Sequence, residues 1–217
     1  MITKLTKKQS DLIPVVRQEW LDRVFKNRKQ IDQEEVKNLI YWLYDFAQAK
    51  NKRPEIIFVD SPLGCQYATN MLLNPQQVES QKLQYFCFTY YGDISDYGWM
   101  SFYDYFERIG INFNNENYNK FKRLVTFGIF MLLVLDNFCI ISAMPDKINR
   151  LDDKLHSGTE SVIHFKDGYE LFFLYGVCFD FESWKDLTSN QITAKEILKI
   201  ENIEQRMAAL KYYGAEK

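Results

Sequence analysis

Apolar residues recur every three or four positions in several segments of the chain, which is the spacing of one face of an α-helix. In the clearest segment the stripe runs through Val36, Leu39 and Leu43, and Asp32 followed by Glu35 is typical of a helix start. The same periodicity predicts helices over residues 11–25, 63–73, 99–109, 118–135, 182–187 and 203–213. We expect the first two helices to pair.

Capping and breaking residues set the expected ends of these helices. Pro14 is predicted in the first turn of the first helix, where a proline is tolerated. Thr193 with Glu196 forms a capping-box pattern and predicts a further helix start. Gly214 is expected to stop the last helix.

Short runs rich in β-branched and aromatic residues predict strands at 55–59, 138–142 and 147–151. Between residues 161 and 175, two such runs flank Asp167-Gly168, a pair typical of a two-residue hairpin turn. This turn places Ile163 opposite Phe172 and His164 opposite Leu171. Both faces of the ribbon are mostly apolar, so we expect helices to cover both.

The predicted elements define an α+β fold in a single domain, residues 1–217. A helical part covers about 1–135, a hairpin-containing sheet part about 136–180, and C-terminal helices about 181–217. We expect a small mixed or antiparallel sheet built from the strands at 55–59 and 138–142 and the hairpin, with helices packed on it.

Composition and charge are those of an ordinary globular protein, with 47% hydrophobic and 26% charged residues. A formal net charge of -2 gives no overall attraction to nucleic acid or to an anionic membrane. The most apolar run, 125–135, is about half of the roughly 20 residues that a membrane span needs, and it predicts a buried helix. The N-terminus lacks the apolar segment of a signal peptide, so we expect a cytoplasmic protein and no membrane contact.

The four cysteines give no sign of a metal or disulfide framework. Cys65, Cys87, Cys139 and Cys178 are widely spaced, and we expect them to be small buried apolar residues in a reducing compartment. No spacing in the chain supplies the third and fourth ligands of a metal site. We therefore expect neither a metal nor a cofactor.

An ordered set of short motifs resembles an uncharacterised bacterial family known as a domain of unknown function. Its C-terminal signature corresponds here to Leu155-His156, an apolar strand, Asp167-Gly168, an aromatic strand and Gly176-Val177. Four other segments of the chain also occur in the family's order. They are an opening like residues 5–20, a segment ending in Asp60-Ser61-Pro62-Leu63, an aromatic helix like 99–110 and an ending like 202–214. The chain departs from the pattern at SGTES after His156 and at Tyr175, where the family usually has a histidine. The resemblance supports the fold and implies no particular activity.

Two places offer candidate chemistry. Asp60 or Ser61 with Pro62 after the strand at 55–59 predicts a capped helix start, and free N–H groups at such a start are also able to hold an anion. Capping alone explains these residue types. His156, near Asp152 and Asp153, suits a general base or one ligand of a metal, whereas His164 lies among apolar strand neighbours and is expected to be structural.

A pair of carboxylates lies on the predicted helix over residues 99–109. Asp104 and Glu107 are three positions apart, an arrangement that suits acid/base chemistry or a metal. Arg108 lies four positions after Asp104 and offers a surface ion pair. We therefore expect a solvated helix face here.

The aromatic content of 16%, with 14 Tyr and 17 Phe, favours an aromatic surface in addition to an aromatic core. We expect a binding or interaction module whose partner is another protein, with Trp99, Tyr103, Asp152 and Tyr175 as candidate binding residues. The alternative is an enzyme of unknown reaction in which His156, Ser61 and Asp60 are catalytic. A third hypothesis is a nucleic-acid-associated accessory protein, which the net charge disfavours.

Overall fold

The computed structural model describes residues 4–25, 31–73, 97–112, 116–152 and 154–215, and it has the α+β fold class that the sequence predicts. Contacts within the chain divide it into two compact units, residues 1–144 and residues 145–217. The single domain predicted for residues 1–217 stays a prediction. Cys87, one of the four cysteines expected to be buried, lies outside the described residues.

Among the described residues, a three-stranded mixed sheet forms the centre of the first unit. Its strands are β1 (Glu55–Val59), β2 (Ile129–Val134) and β3 (Phe138–Ala143), in the spatial order β1-β3-β2. Strand β1 runs parallel to β3, and β2 runs antiparallel to it. Apart from Glu55 in β1 and Ser142 in β3, the three strands are apolar throughout, which is the pattern of a sheet covered on both faces.

The helices described in the first unit are α1 (Lys7–Phe25), α2 (Gln33–Phe46), α3 (Pro62–Leu73), α4 (Tyr97–Arg108) and α5 (Glu116–Thr126). Successive residues of β3 point to opposite faces of the sheet. Ile141 packs in a cluster with residues of α2 and α5, whereas Ile140 packs with Cys65 of α3. Helices α2 and α5 therefore cover one face of the sheet, and α3 covers the other.

Helix α1 packs mainly against α4. The main packing partner of α1 is therefore not α2, the helix with which it was expected to pair. Val16 and Trp20 of α1 are buried with Met100 and Tyr105 of α4. The helix begins at Lys7, so the prediction that Pro14 lies in the first turn is wrong. The first turn was misplaced because residues 7–10 carry no apolar stripe.

The prediction of one helix over residues 118–135 is wrong in its second half. The prediction of a buried helix at 125–135 is wrong for the same reason. Helix α5 ends at Thr126, Gly128 adopts a φ of +71°, and residues 129–134 form β2. A continuous apolar run does not distinguish a buried helix from a buried strand by its periodicity. Residues 129–134 pair with β3 as a strand, and the hydrogen bonds between the two strands satisfy their backbone polar groups.

The second unit consists of short strands followed by three helices. The strands are β4 (Lys147–Ile148), β5 (Arg150–Leu151), β6 (Lys154–Leu155), β7 (Ile163–His164), β8 (Glu170–Leu174) and β9 (Val177–Phe179). Strands β4, β7, β8 and β9 form one antiparallel sheet in that order, and β5 pairs with β6. The hairpin thus lies in a different sheet from the strands at 55–59 and 138–142, and the predicted common sheet is wrong.

Three helices follow the strands of the second unit: α6 (Phe181–Thr188), α7 (Ala194–Ile197) and α8 (Ile203–Ala215). Residues of β8 and β9 pack on them, with Trp184 and Ala209 in the shared core. The capping box of Thr193 and Glu196 is confirmed, since each residue's side chain accepts the other's backbone N–H. Gly214 lies inside α8, so the predicted stop is wrong.

The hairpin at residues 161–175 forms in a register one residue away from the predicted one. Ile163 pairs with Leu171, and His164 pairs with Glu170, so the loop is Lys166, Asp167 and Gly168. A two-residue type I′ turn needs positive φ at both positions, but Gly168 has a φ of +85° and Asp167 does not have a positive φ. The Asp167 carboxylate accepts the Tyr169 N–H at 3.1 Å, which stabilises the longer loop.

Within the described residues, no helix has both the length and the apolar character that crossing a membrane requires.

Candidate functional site

Helix α4 presents three large aromatic side chains to solvent. Trp99 is 65% exposed, Phe102 57% and Tyr103 37%. These residues are three and four positions apart, so they lie on one side of the helix. The Trp99 and Phe102 ring centroids are 6.5 Å apart. We call these three residues the α4 aromatic face.

The opposite side of α4 is buried and contains a charged residue. Asp104 is only 7% exposed, and it lies beside the buried Met100 and Tyr105. The solvated face expected for Asp104 is therefore wrong, because the carboxylate faces the neighbouring helices α1 and α5. A buried carboxylate is costly unless its oxygens accept hydrogen bonds.

Asp104 accepts hydrogen bonds from three side chains on three helices. The Trp20 indole N–H donates to Oδ2 at 3.0 Å, Lys122 Nζ donates to Oδ1 at 2.7 Å, and Arg108 donates to Oδ2 at 3.0 Å. Burial on its own raises the pKa of Asp104, but the hydrogen bonds from Lys122 and Trp20 and the charges of Lys122 and Arg108 outweigh burial and hold the pKa below its ordinary value. The ionised carboxylate joins α1, α4 and α5.

Two further contacts connect this network to the edge of the α4 aromatic face. The Tyr103 ring meets the Tyr118 ring of α5 edge-on, with centroids 5.9 Å apart. Lys122, which pairs with Asp104, also lies 3.4 Å from a Glu107 oxygen. Helices α4 and α5, which carry the two rings, are therefore also joined by the ion pairs of Lys122 with Asp104 and Glu107. These ion pairs limit how far the α4 aromatic face can move.

The strand-to-helix junction at Asp60 and Ser61 is built for capping. Ser61 is fully buried, and its hydroxyl accepts the Gly64 N–H at 3.1 Å at the start of α3. Asp60 is exposed. Both residues belong to the first unit and His156 belongs to the second, so the enzyme hypothesis, which needs all three together, stays a prediction.

His156 is held in the second unit by the turn between β8 and β9. Its Nδ1 accepts the backbone N–H of Tyr175 at 3.0 Å, and its ring stacks on the Tyr175 ring with centroids 4.4 Å apart. Lys211 of α8 places its Nζ 3.9 Å from the centroid of the same tyrosine ring. Burial and the charge of Lys211 lower the pKa of His156 below its ordinary value.

Tyr175 has an unusual backbone conformation. Leu174 pairs with Val177, which leaves Tyr175 and Gly176 as a two-residue loop with φ values of +52° and +88°. The first position of such a loop favours Asn, Asp or Gly, and a bulky residue there costs on the order of 1 kcal/mol. The contacts with His156 and Lys211 offset that cost.

Asp152, the remaining candidate for a binding residue, is exposed and has a φ of +47°. It follows β5 in the connection to β6, and its neighbour Asp153 lies outside the described residues. The conformation is one that Asp adopts more readily than most residues in tight turns.

Cys65 and Cys139 are buried free thiols. Burial raises the pKa of Cys65 to about 12, and it does the same for Cys139. Such thiols are protonated and unreactive near neutral pH. Cys178 is only partly buried.

Lys122 and Lys211 were not predicted from the sequence as site residues. Each reaches its aromatic or acidic partner across the fold, and no local spacing signals such a contact. Comparison of the chain with protein-family models, with curated proteins and with solved structures gives no match. The resemblance to an uncharacterised bacterial family therefore stays a prediction.

Proposed function

We propose that the chain is an interaction module that binds another protein through the α4 aromatic face. The observation that carries this proposal is the exposure of Trp99 and Phe102, each more than half exposed, side by side on one helix. Exposed large apolar groups that adjoin one another are characteristic of binding surfaces, whereas scattered ones are ordinary. Trp and Tyr are also the residues most enriched among those that dominate binding energy.

The fixed position of α4 supports this proposal. Asp104, on the buried side of the helix, is hydrogen-bonded to Trp20 of α1 and to Lys122 of α5. A surface that is already ordered before binding loses less conformational entropy when the partner arrives. The three rings therefore form a pre-organised platform for apolar side chains of a partner.

The charges beside the platform favour a protein over a nucleic acid. Arg108 pairs with Glu19 and Asp104, and Lys122 pairs with Asp104 and Glu107. Cations that are neutralised in this way contribute little to phosphate binding, and aromatic stacking on nucleic acid normally accompanies a positively charged groove. We infer an uncharged, largely apolar contact segment on the partner.

We further propose that this interaction takes place in the cytoplasm. Cys65 and Cys139 are free thiols that are buried without forming a disulfide. Free, structurally buried thiols suit a reducing compartment.

Site-specific photo-crosslinking in the native host tests the proposal. A photoreactive phenylalanine analogue at Phe102 is compared with the same analogue at Phe46, which belongs to the same unit and is 60% exposed against 57% for Phe102. We expect one discrete protein to crosslink at position 102 and to be absent at position 46. The same products at both positions, or no product at position 102, would contradict the proposal.

A further inference from the structure

Leu155 and His156 hold the turn between β8 and β9 through hydrogen bonds to its two backbone N–H groups. The Tyr175 N–H donates to His156 Nδ1 at 3.0 Å, and the Gly176 N–H donates to the Leu155 carbonyl at 2.7 Å. Both residues of the turn have positive φ, and for tyrosine this conformation is unfavourable without outside support. The His156 bond is one of the contacts that supply this support.

The direction of the His156 bond fixes the protonation state that it needs. A ring nitrogen accepts a hydrogen bond only when it carries no proton, so Nδ1 is bare and the proton of the neutral ring is on Nε2. A second proton would go to Nδ1. The ring would then present an N–H donor to the N–H donor of Tyr175, and the hydrogen bond between them would be lost.

The charged side chains described around the β8–β9 turn, Lys154 and Lys211, are cations and do not compensate for a positive charge on His156. Helix α8 contributes Lys211 and Tyr212, the β8–β9 turn contributes Tyr175, and β6 contributes Lys154, whose side chain runs beside Gly176. Among the residues that the structure describes, the His156 ring contacts Tyr175 and Tyr212 and forms no ion pair with a carboxylate. The cation of Lys211, whose Nζ lies over the Tyr175 ring that stacks on His156, contributes to lowering the pKa of His156.

We propose that His156 is a pH-sensitive latch on the β8–β9 turn: the neutral ring holds Tyr175 in its left-handed conformation, and protonation of the ring releases the turn. Burial and Lys211 lower the pKa of His156 from its ordinary 6.5, so the folded state favours the neutral ring. The latch is therefore closed at pH 6.5 and above, and it opens as the pH falls through the lowered pKa of the folded state. This device lies in the second unit and does not depend on the function proposed for the α4 aromatic face.

Amide hydrogen exchange of the full chain tests the latch. It is followed by NMR at Tyr175 and Gly176 from pH 7.5 downward through the titration of the His156 ring, which is monitored in the same samples. After correction for intrinsic exchange, we expect protection of both amides to fall about tenfold or more on acidification, as a lost hydrogen bond of this kind implies. The variant His156→Asn keeps an acceptor at the position of Nδ1 and cannot titrate, so its protection should not change with pH. The variant His164→Asn removes the other histidine and should behave like the parent.

Substitution at Lys211 gives a second, independent readout. In Lys211→Met the ring loses its cationic neighbour, so the midpoint of the transition should move to higher pH while the transition itself remains. Constant protection in the parent chain across the titration of the His156 ring itself, or an equal loss of protection in His156→Asn, would overturn the proposal.

Discussion

The indole N–H of Trp20 donates a hydrogen bond of 3.0 Å to the buried carboxylate of Asp104, across 84 positions of the sequence. Trp20 is completely buried, and Asp104 lies on the side of α4 that faces away from Trp99 and Phe102. This contact, together with the pairing of Asp104 with Lys122, fixes α4 from its buried side. The exposed aromatic side chains are therefore carried by a helix whose position is fixed by contacts on its buried side.

Asp104→Ala should destabilise the first unit strongly. The substitution removes the acceptor of the Trp20 N–H and the closer of the two carboxylates that pair with Lys122. Breaking a buried charge pair of this kind costs about 3 kcal/mol in free energy of unfolding. Urea unfolding followed by tryptophan fluorescence measures the change. Glu116→Ala removes the exposed ion pair with Lys120 and serves as the control, with stability close to that of the parent. A similar loss in both variants would contradict the structural role of Asp104.

Acidification should weaken the first unit through the same residue. The pKa of Asp104 lies below the ordinary 3.8, so the ionised form is favoured by folding. Its contribution is fully present above pH 3.8 and is lost as the pH falls from that value through the lower pKa of the folded state. Unfolding free energies measured from pH 6 to pH 2.5 should fall more steeply in the parent than in Asp104→Ala. Parallel curves would show that Asp104 contributes nothing to the acid response.

Gly158→Ala should destabilise the second unit. An added Cβ would lie 2.9 Å from ring atoms of Tyr212 and closer still to its hydroxyl, and Tyr212 is buried. Overpacking of this kind costs about 1–3 kcal/mol. Gly214→Ala in α8 is the matched control, because its Cβ would meet no atom within 4 Å and alanine favours a helix. Thermal unfolding should show a lower melting temperature for the first variant only; equal melting temperatures would contradict this packing.

Local signals in the sequence predicted local structure well. Ser61 before Pro62, Asp32 before α2 and the capping box of Thr193 with Glu196 all involve residues within four positions of each other. Each side chain finds its partner in the same helical turn, whatever the rest of the chain does. These starts could therefore be predicted without knowledge of the tertiary fold.

Features decided by tertiary pairing could not be predicted in the same way. Residues 129–134 became a strand because β3 was available to pair with them. The hairpin loop took three residues because Asp167 does not adopt a positive φ, which the two-residue turn requires. The burial of Asp104 depends on hydrogen bonds from Trp20 of α1 and Lys122 of α5, and both residues lie on other helices. No spacing within α4 indicates those partners.

Thiol labelling should distinguish the three described cysteines. Burial raises the pKa of both Cys65 and Cys139 to about 12, so almost no reactive thiolate is present at pH 8. Cys178 is partly buried and should react with iodoacetamide first in the native protein. Mass spectrometry of digested, labelled protein measures the order. Equal labelling of Cys65 and Cys178 before unfolding would contradict the packing of α3 on the sheet.

The double variant Trp99→Ala, Phe102→Ala tests the proposed binding surface most directly. Both side chains are more than half exposed, so the variant should unfold at the same urea concentration as the parent. Its affinity for the protein captured by crosslinking at position 102, measured by isothermal titration calorimetry, should fall about tenfold or more, as expected when aromatic hot-spot residues are truncated. Phe46→Ala, at an equally exposed aromatic position, should bind like the parent. Unchanged affinity of the folded double variant would contradict the account.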